Sequence, residues 1–321
     1  MKNKIIIRQG SEKDVDSIIQ LFQRQFPEHW NQDPKVFWKW RNEKLSHKKT
    51  LISLAEYNNK VIGYYCIEPK KINFFGEIIE VGFGMHAVVD PLYRKELSIM
   101  QVTEFAYDLA KESEMKFIYG FPNNNFYLIQ EKIERWDRVS IYNTMEVKTI
   151  ESLDCNFFIS PLVEKDFDEL EFPRIKEKII RLESSKEYFK NRFFNHPRSL
   201  YKCFSIKEKQ SDENLGLLVL KIYKSETGHI IDFVKTDKVS NSDIIKLSNN
   251  FFLNKQIELI SFWQTNNNFK KAILSTYDKT KEGFKTNFYV KFLDSEFKNK
   301  NSEKILDISN WSLPMGISDA F

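Results

Sequence analysis

No stretch of the 321-residue sequence approaches the roughly 18 uncharged apolar residues that a membrane-crossing helix requires. The early run Ile5-Ile6-Ile7 is too short for a secretion signal. Cysteine is scarce: Cys66, Cys155 and Cys203 are an odd, scattered set, which excludes a disulfide framework and fits a reducing compartment. Each reads as a small buried apolar residue. The five histidines (His29, His47, His86, His196 and His229) lack the spacing of metal ligands, so no metal site is expected. An excess of one charge is also missing. Lys+Arg number 49 and Asp+Glu 45, interleaved as in Ser11-Glu12-Lys13-Asp14, so no basic face for nucleic acid is expected. These absences suit a cytoplasmic protein that neither spans a membrane nor binds nucleic acid.

What is present is apolar bulk and repetition. Hydrophobic residues make up 41% and aromatics 15%, with 28 Phe, and the length suits two packed domains. Ser11-Glu12-Lys13-Asp14-Val15-Asp16 is matched by Val163-Glu164-Lys165-Asp166-Phe167-Asp168, and Phe37-Trp38-Lys39-Trp40-Arg41 by Tyr188-Phe189-Lys190-Asn191-Arg192. Val61-Ile62-Gly63-Tyr64 lines up with Asn214-Leu215-Gly216-Leu217, at offsets of 152, 151 and 153 in turn. A fourth match, Asn123-Asn124-Asn125-Phe126 with Asn266-Asn267-Asn268-Phe269, has an offset of 143, so the second copy has lost about ten residues before it. The expected halves are 1–150 and 151–321.

Within the first copy, Ile5 to Ile7 reads as a strand, and Ser11 with Asp14 as a capping box before a helix carrying Val15, Ile18, Ile19, Phe22 and Phe26. Asn58-Asn59-Lys60 separates the apolar runs Thr50–Tyr57 and Val61–Ile67 as a hairpin would. Ile72–Phe75 and Ile78–Val81 flank a turn at Gly76-Glu77, and Gly84–Val89 is a strand closed by Asp90-Pro91. A helix from Ser98, a buried strand Met115–Tyr119 and a helix from the Asn run complete the order. The alternation predicts a mixed α/β sheet with helices on its faces.

This order resembles the GNAT acetyltransferase fold, here duplicated in tandem. Val89-Asp90-Pro91-Leu92-Tyr93-Arg94-Lys95-Glu96-Leu97-Ser98 resembles the family's strand–loop–helix that holds the coenzyme A pyrophosphate. Where the family writes glycine, this sequence has Leu97 and Ile99. Tyr119-Gly120-Phe121-Pro122-Asn123, the aromatic-basic Phe37–Arg41 segment and the terminal Trp311…Gly316-Ile317-Ser318-Asp319-Ala320-Phe321 resemble a subgroup from bacterial surface-sugar pathways. The second copy has no Pro-x-Tyr-Arg run before its helix, so only the first is expected to bind cofactor.

The resemblance implies acetyl-CoA as donor and a primary amine of a small molecule as acceptor, of which a nucleotide-linked amino sugar is the subgroup's type. It places cofactor contacts at Val88, Val89, Arg94, Lys95, Glu96, Leu97, Ser98, Ile99 and Asn123, with the N–H groups of Val88 and Val89 polarising the thioester carbonyl. Where the family often carries an acidic tyrosine this sequence has Glu131, and Tyr127, one turn earlier, is the substitute candidate. His86 is the candidate base, with Glu80 as a second, and Trp38 and Arg41 are candidate acceptor contacts. Ordinary packing is open for each. So is the alternative of a non-catalytic GNAT-like protein that binds a ligand or partner.

Overall fold

The computed structural model describes residues 4–26, 33–45, 47–170, 179–182, 185–198, 200–263 and 267–318. The chain runs β1 (Ile6–Gln9), α1 (Val15–Gln25), α2 (Pro34–Lys39), β2 (Leu51–Tyr57), β3 (Lys60–Phe74), β4 (Glu77–Val89), α3 (Ile99–Glu112), β5 (Phe117–Gly120) and β6 (Asp137–Lys148). It continues through β7 (Phe157–Pro161), α4 (Asp166–Glu169), β8 (Ile180–Leu182), α5 (Lys186–Phe189), β9 (Lys202–Glu208), β10 (Asn214–Tyr223), β11 (Thr227–Lys235) and α6 (Asn241–Asn254). Last come β12 (Leu259–Trp263), α7 (Asn267–Thr276), β13 (Lys281–Phe292), α8 (Ser295–Leu306) and β14 (Trp311–Ser312). Asn266 of the fourth repeat match, and Asp319, Ala320 and Phe321 of the terminal motif, lie outside the described residues.

Local chemistry accounts for the boundaries. The Ser11 N–H donates to the Asp14 carboxylate at 2.8 Å, and α1 then buries Ile18, Ile19 and Leu21. Asn58 and Asn59 both take positive φ (50° and 59°), the conformation of a two-residue hairpin turn whose twist suits antiparallel strands, and Tyr57 pairs with Lys60 across it. Ser98 caps α3 by accepting from Met100 N. β3 and β4 are each longer than the sequence suggests. The polar stretch Glu68-Pro69-Lys70 is no break: Glu68 and Lys70 are buried and ion-paired to each other, so charge here is core rather than strand end. The helix expected from the Asn run is short and finishes as a π-helical turn, Ile129–Ile133.

The chain forms two compact units. Unit 1 comprises Met1–Ile72, Ile78–Val139 and Phe288–Leu306. Its strands follow the order β1-β2-β3-β4-β5 and then the end of β13. β4 and β5 are parallel, whereas β1–β2, β2–β3 and β5–β13 are antiparallel. α3 packs on one face through Val102, Ala106, Tyr107 and Ala110, against Ile62, Tyr65, Ile67 and Tyr289.

Unit 2 comprises Asn73–Glu77, Ser140–Asn287 and Asp307–Phe321. Its order is β7-β9-β10-β11-β12-β6, again with one parallel pair, β11–β12. α6 supplies Ile244, Ile245, Leu247 and Phe252 to its core. The repeat therefore recurs in the strand order and in paired π-helical turns at Trp40–Lys44 and Lys190–Phe194, with β8 and β14 added off the path. β4 has 13 residues and β11 nine, and the following loops are 90–98 and 236–240. The loss in the second copy is thus shared between strand end and loop.

Candidate functional site

The two parallel strands of unit 1 separate. β4 and β5 are in register only at Gly82↔Ile118 and Phe83↔Tyr119. β5 ends at Gly120, while β4 runs on to Val89. Gly84 stands where the pairing ends and has no room for a side chain: a Cβ there would lie 2.3 Å from the buried Tyr65 hydroxyl. From Gly84 to Val89 the edge of β4 that faced β5 has no ladder partner among the described residues. Alternate N–H groups of a strand point to one edge, so this stretch offers unpaired donors to the gap. Val88 and Val89, both buried, lie at its end.

His86 takes φ of +59° in mid-strand, a conformation uncommon for a residue with a side chain. It turns the imidazole onto the face covered by α1, edge-on to Phe22 with ring centroids 5.7 Å apart. Its Nδ1 lies 3.9 Å from Cys66 Sγ. Cys66 and Glu68 alternate on β3 and so share that face. Arg41 joins it: one guanidinium nitrogen is 3.6 Å from Glu68 Oε2, and the group also contacts Met85 Sδ. Lys70 holds the other carboxylate oxygen of Glu68. Glu68 is 1% exposed, yet its Oε2 accepts no hydrogen bond among the described residues, and Trp38 Nε1 is likewise buried without an acceptor. Buried polar atoms are normally paired, so such orphans mark places a ligand can fill.

Beyond the gap lies the loop 90–98. Asp90 organises it: its carboxylate accepts from Leu92 N and pairs with Arg24 and Lys60, each at 3.1 Å. Burial pushes this acid up, but the bonds from Lys60 and Leu92 N outweigh that and hold it below its ordinary range. Leu97 turns inward, 2% exposed, into room left by Gly63, and half-buried Ile99 packs on the same core. Arg94, Lys95, Glu96 and Ser98 stay exposed, and Arg94 donates to Gln25 Oε1 at 3.5 Å. The Ser98 hydroxyl accepts from Met100 N, and Gln101 Oε1 accepts from Ser98 N. The helix start is therefore self-capped, and a phosphate here displaces Ser98 and Gln101 side chains rather than meeting bare N–H groups.

Other candidates lie apart. Glu80 is six residues before His86, about 20 Å along an extended strand. It pairs at the surface with Lys48 at 2.6 Å and His47 at 3.1 Å. Burial pushes this acid up, but the bonds from Lys48 and His47 outweigh that and hold it below its ordinary range. Tyr127 packs half-buried against the α3 core. Asn123 caps its helix, with Oδ1 accepting from Asn125 N and Phe126 N. Glu131 is pushed down to about 2 by the hydrogen bond from the Tyr289 hydroxyl, with Lys132 and Arg138 adding to it. It is therefore a carboxylate at neutral pH, with no proton to give. Sequence reasoning missed Glu68, Lys70 and Gln101. A signal existed for Glu68, because it continues the alternation Tyr64, Cys66, Glu68 along β3.

Comparison with known proteins shows what the fold is similar to. Residues 6–129 match the family model described as the acetyltransferase (GNAT) domain. A structure from Enterococcus faecalis V583, described as a probable N-acyltransferase, is similar over 92% of this chain and 74% of its own, with TM-score 0.70 at 10% identity. A tandem GNAT protein from the clavulanic acid biosynthesis pathway matches 91% of this chain and 99% of its own, with TM-score 0.58 at 9% identity. Saccharomyces cerevisiae N-myristoyltransferase with bound myristoyl-CoA matches 90% and 79%, with TM-score 0.58 at 10% identity. No curated protein matches the sequence. The architecture is a tandem GNAT fold.

Proposed function

We propose that this chain is an N-acyltransferase whose first GNAT half, within 1–150, transfers the acetyl group of acetyl-CoA to a primary amine, while the half within 151–321 carries no donor site. The observation that carries this reading is the pairing of an open β4 edge with a buried carboxylate, Glu68, one oxygen of which accepts no hydrogen bond among the described residues, on the face that holds His86. The acceptor enters over that face between Trp38, Arg41 and Glu68. Its class is an amino sugar linked to a nucleotide, whose phosphates suit Arg41.

The donor lies with its diphosphate at Arg94–Ile99, its pantetheine arm in the gap and Asn123 beside it. The Glu68 carboxylate receives the acceptor's N–H groups and holds the amine toward the thioester. The uncharged nitrogen attacks the carbonyl carbon; a C–N bond forms as the carbonyl electrons move to oxygen. That oxyanion accepts from the N–H of Val88 or Val89, which costs no reorganisation because the edge is already open. His86 takes the proton from nitrogen. Collapse breaks the C–S bond, and the thiolate leaves with a proton from Tyr127 or from water, since ionised Glu131 has none to offer.

The test is free-thiol release from acetyl-CoA across a panel of primary amines that includes nucleotide-linked amino sugars. Acetylation of a panel member supports the proposal. Binding of acetyl-CoA without turnover on any amine favours the non-catalytic reading, for which the self-capped loop is the motivating observation.

A further inference from the structure

One side chain fastens the loop 90–98 to three elements of unit 1. The carboxylate of Asp90, 3% exposed, accepts from Leu92 N and so closes the short turn Pro91–Tyr93. Its Oδ2 pairs with Lys60, on the β2–β3 hairpin, and with Arg24, on the last turn of α1, each at 3.1 Å. The Asp90 N–H donates to the Ile62 carbonyl on β3 at 2.8 Å. The hairpin grips the loop a second time at Tyr93. The Lys60 ammonium lies 5.2 Å from the centre of that ring, and the Tyr57 ring lies 5.5 Å from it.

Arg24 makes two bonds with its guanidinium. Nε donates to Asp90 Oδ2 at 3.1 Å, and Nη2 donates to the Val61 carbonyl at 3.0 Å. Donors held in a planar fork fix an orientation as well as a distance. The end of α1 is thereby set against hairpin and loop together. Two residues earlier on the same helix, Phe22 lies edge-on to His86, with ring centroids 5.7 Å apart, and to Tyr64 at 5.2 Å. One residue later, Gln25 Oε1 accepts from Arg94 at 3.5 Å. Residues 22–25 therefore touch the candidate base, the loop's anchor and the loop's own cation. The Arg24 side chain is about one-third exposed, so its ion pair adds little to global stability. When Arg24 is removed, Lys60 and Leu92 N still hold the Asp90 carboxylate, so the loop loses its tie to α1 while the core stays intact.

We infer that Arg24 is a positioning residue for the acyl donor: acting through Asp90, it sets the loop 90–98 against α1, and so fixes the diphosphate site relative to the face that carries His86. The role rests on the donor placement proposed above. Arg24 touches neither the reacting atoms nor the donor. It holds the loop in its binding position beforehand, so that binding need not order it.

The experiment pairs calorimetric titration of the full chain with acetyl-CoA and hydrogen–deuterium exchange of the loop amides in its absence. Arg24→Gln should raise the Kd for acetyl-CoA about tenfold, the cost of ordering one or two side chains on binding. It should also speed exchange in the loop while leaving Tm and the exchange of the core strands unchanged. Arg24→Lys keeps the charge beside Asp90 and loses the forked geometry, so it should fall between the two. In an Asp90→Asn background Arg24→Gln should change the Kd little further, because the partner it acts through is gone. Unchanged affinity and loop exchange in Arg24→Gln, or additive effects in the double variant, overturn the inference. A fall in Tm with faster exchange throughout the chain overturns it too, since Arg24 then serves stability alone. Absence of acetyl-CoA binding by the unaltered chain sinks the donor reading and this role with it. Equal binding by the unaltered chain and Arg24→Gln sinks this role alone.

Discussion

Replacing Glu68 with glutamine keeps the shape of the side chain and removes its charge. If Glu68 holds the acceptor amine, the substitution raises the KM for the amine about ten- to hundredfold, the worth of a hydrogen bond to a charged group. The Kd for acetyl-CoA should stay unchanged. Steady-state kinetics alongside a donor titration separates this from a purely structural role, in which both affinities fall with Tm. His86→Gln should act on kcat instead, lowering it about a hundredfold and removing the rising limb of the pH–rate profile. A profile that keeps its limb assigns the base elsewhere. At this scale the sequence was informative where residue type implies chemistry. Arg41 and His86 were named from it and lie on one face. Glu68 was not, because a charged residue after an apolar run looks like a strand end until its partners Arg41 and Lys70 are seen.

Among the elements, the proposed site lies where β4 runs on past the end of β5, and Gly84 lets Tyr65 pack against β4 there. A methyl group at Gly84 would meet the Tyr65 hydroxyl at 2.3 Å, so Gly84→Ala should destabilise by about 1–3 kcal/mol through overpacking. Tyr65→Phe should relieve most of it. The buried Tyr65 hydroxyl interacts with the Tyr107 hydroxyl, so removing it alone should cost about 1 kcal/mol. Denaturant unfolding of both single variants and the double variant measures the coupling. At the loop, exposed Arg94 supports no buried structure, so Arg94→Ala should weaken coenzyme A binding about tenfold with Tm unchanged. Elements were largely legible: the capping box at Ser11, the Asn58-Asn59 hairpin and the α3 stripe starting from Ser98 all follow local rules. The exchange of β6 and β13 was not. Each pairs in the unit that the other half of the sequence begins, and alternation of side chains is the same whichever neighbour a strand finds.

For the whole molecule, duplication makes one half a control for the other. Unit 2 keeps the strand order with its one parallel pair, and alters the groups. Its two shifted acids make opposite demands. Burial lifts Asp232 from 3.8 to about 6, so the folded state binds the extra proton and stability falls as pH climbs through that window. Burial, with Lys221 adding to it, drops His229 from 6.5 to about 4, so the unfolded state binds the extra proton and stability rises over nearly the same window. At about 1.4 kcal/mol per unit, each contributes about 3 kcal/mol of opposite sign, and they nearly cancel. Asp232→Asn should unmask a stability that rises from pH 4 to 6.5, and His229→Gln one that falls. Parallel denaturant curves for both variants would contradict this account of the two groups. The repeat itself was plain in the sequence, since the first three matches keep offsets near 152.

The central claim is that one half of a tandem GNAT fold holds a donor site and the other does not. Calorimetric titration of the full chain with acetyl-CoA tests it most directly. The account predicts saturation at one acetyl-CoA per chain, weakened by Arg94→Ala. No binding, or two equivalents per chain, would contradict it.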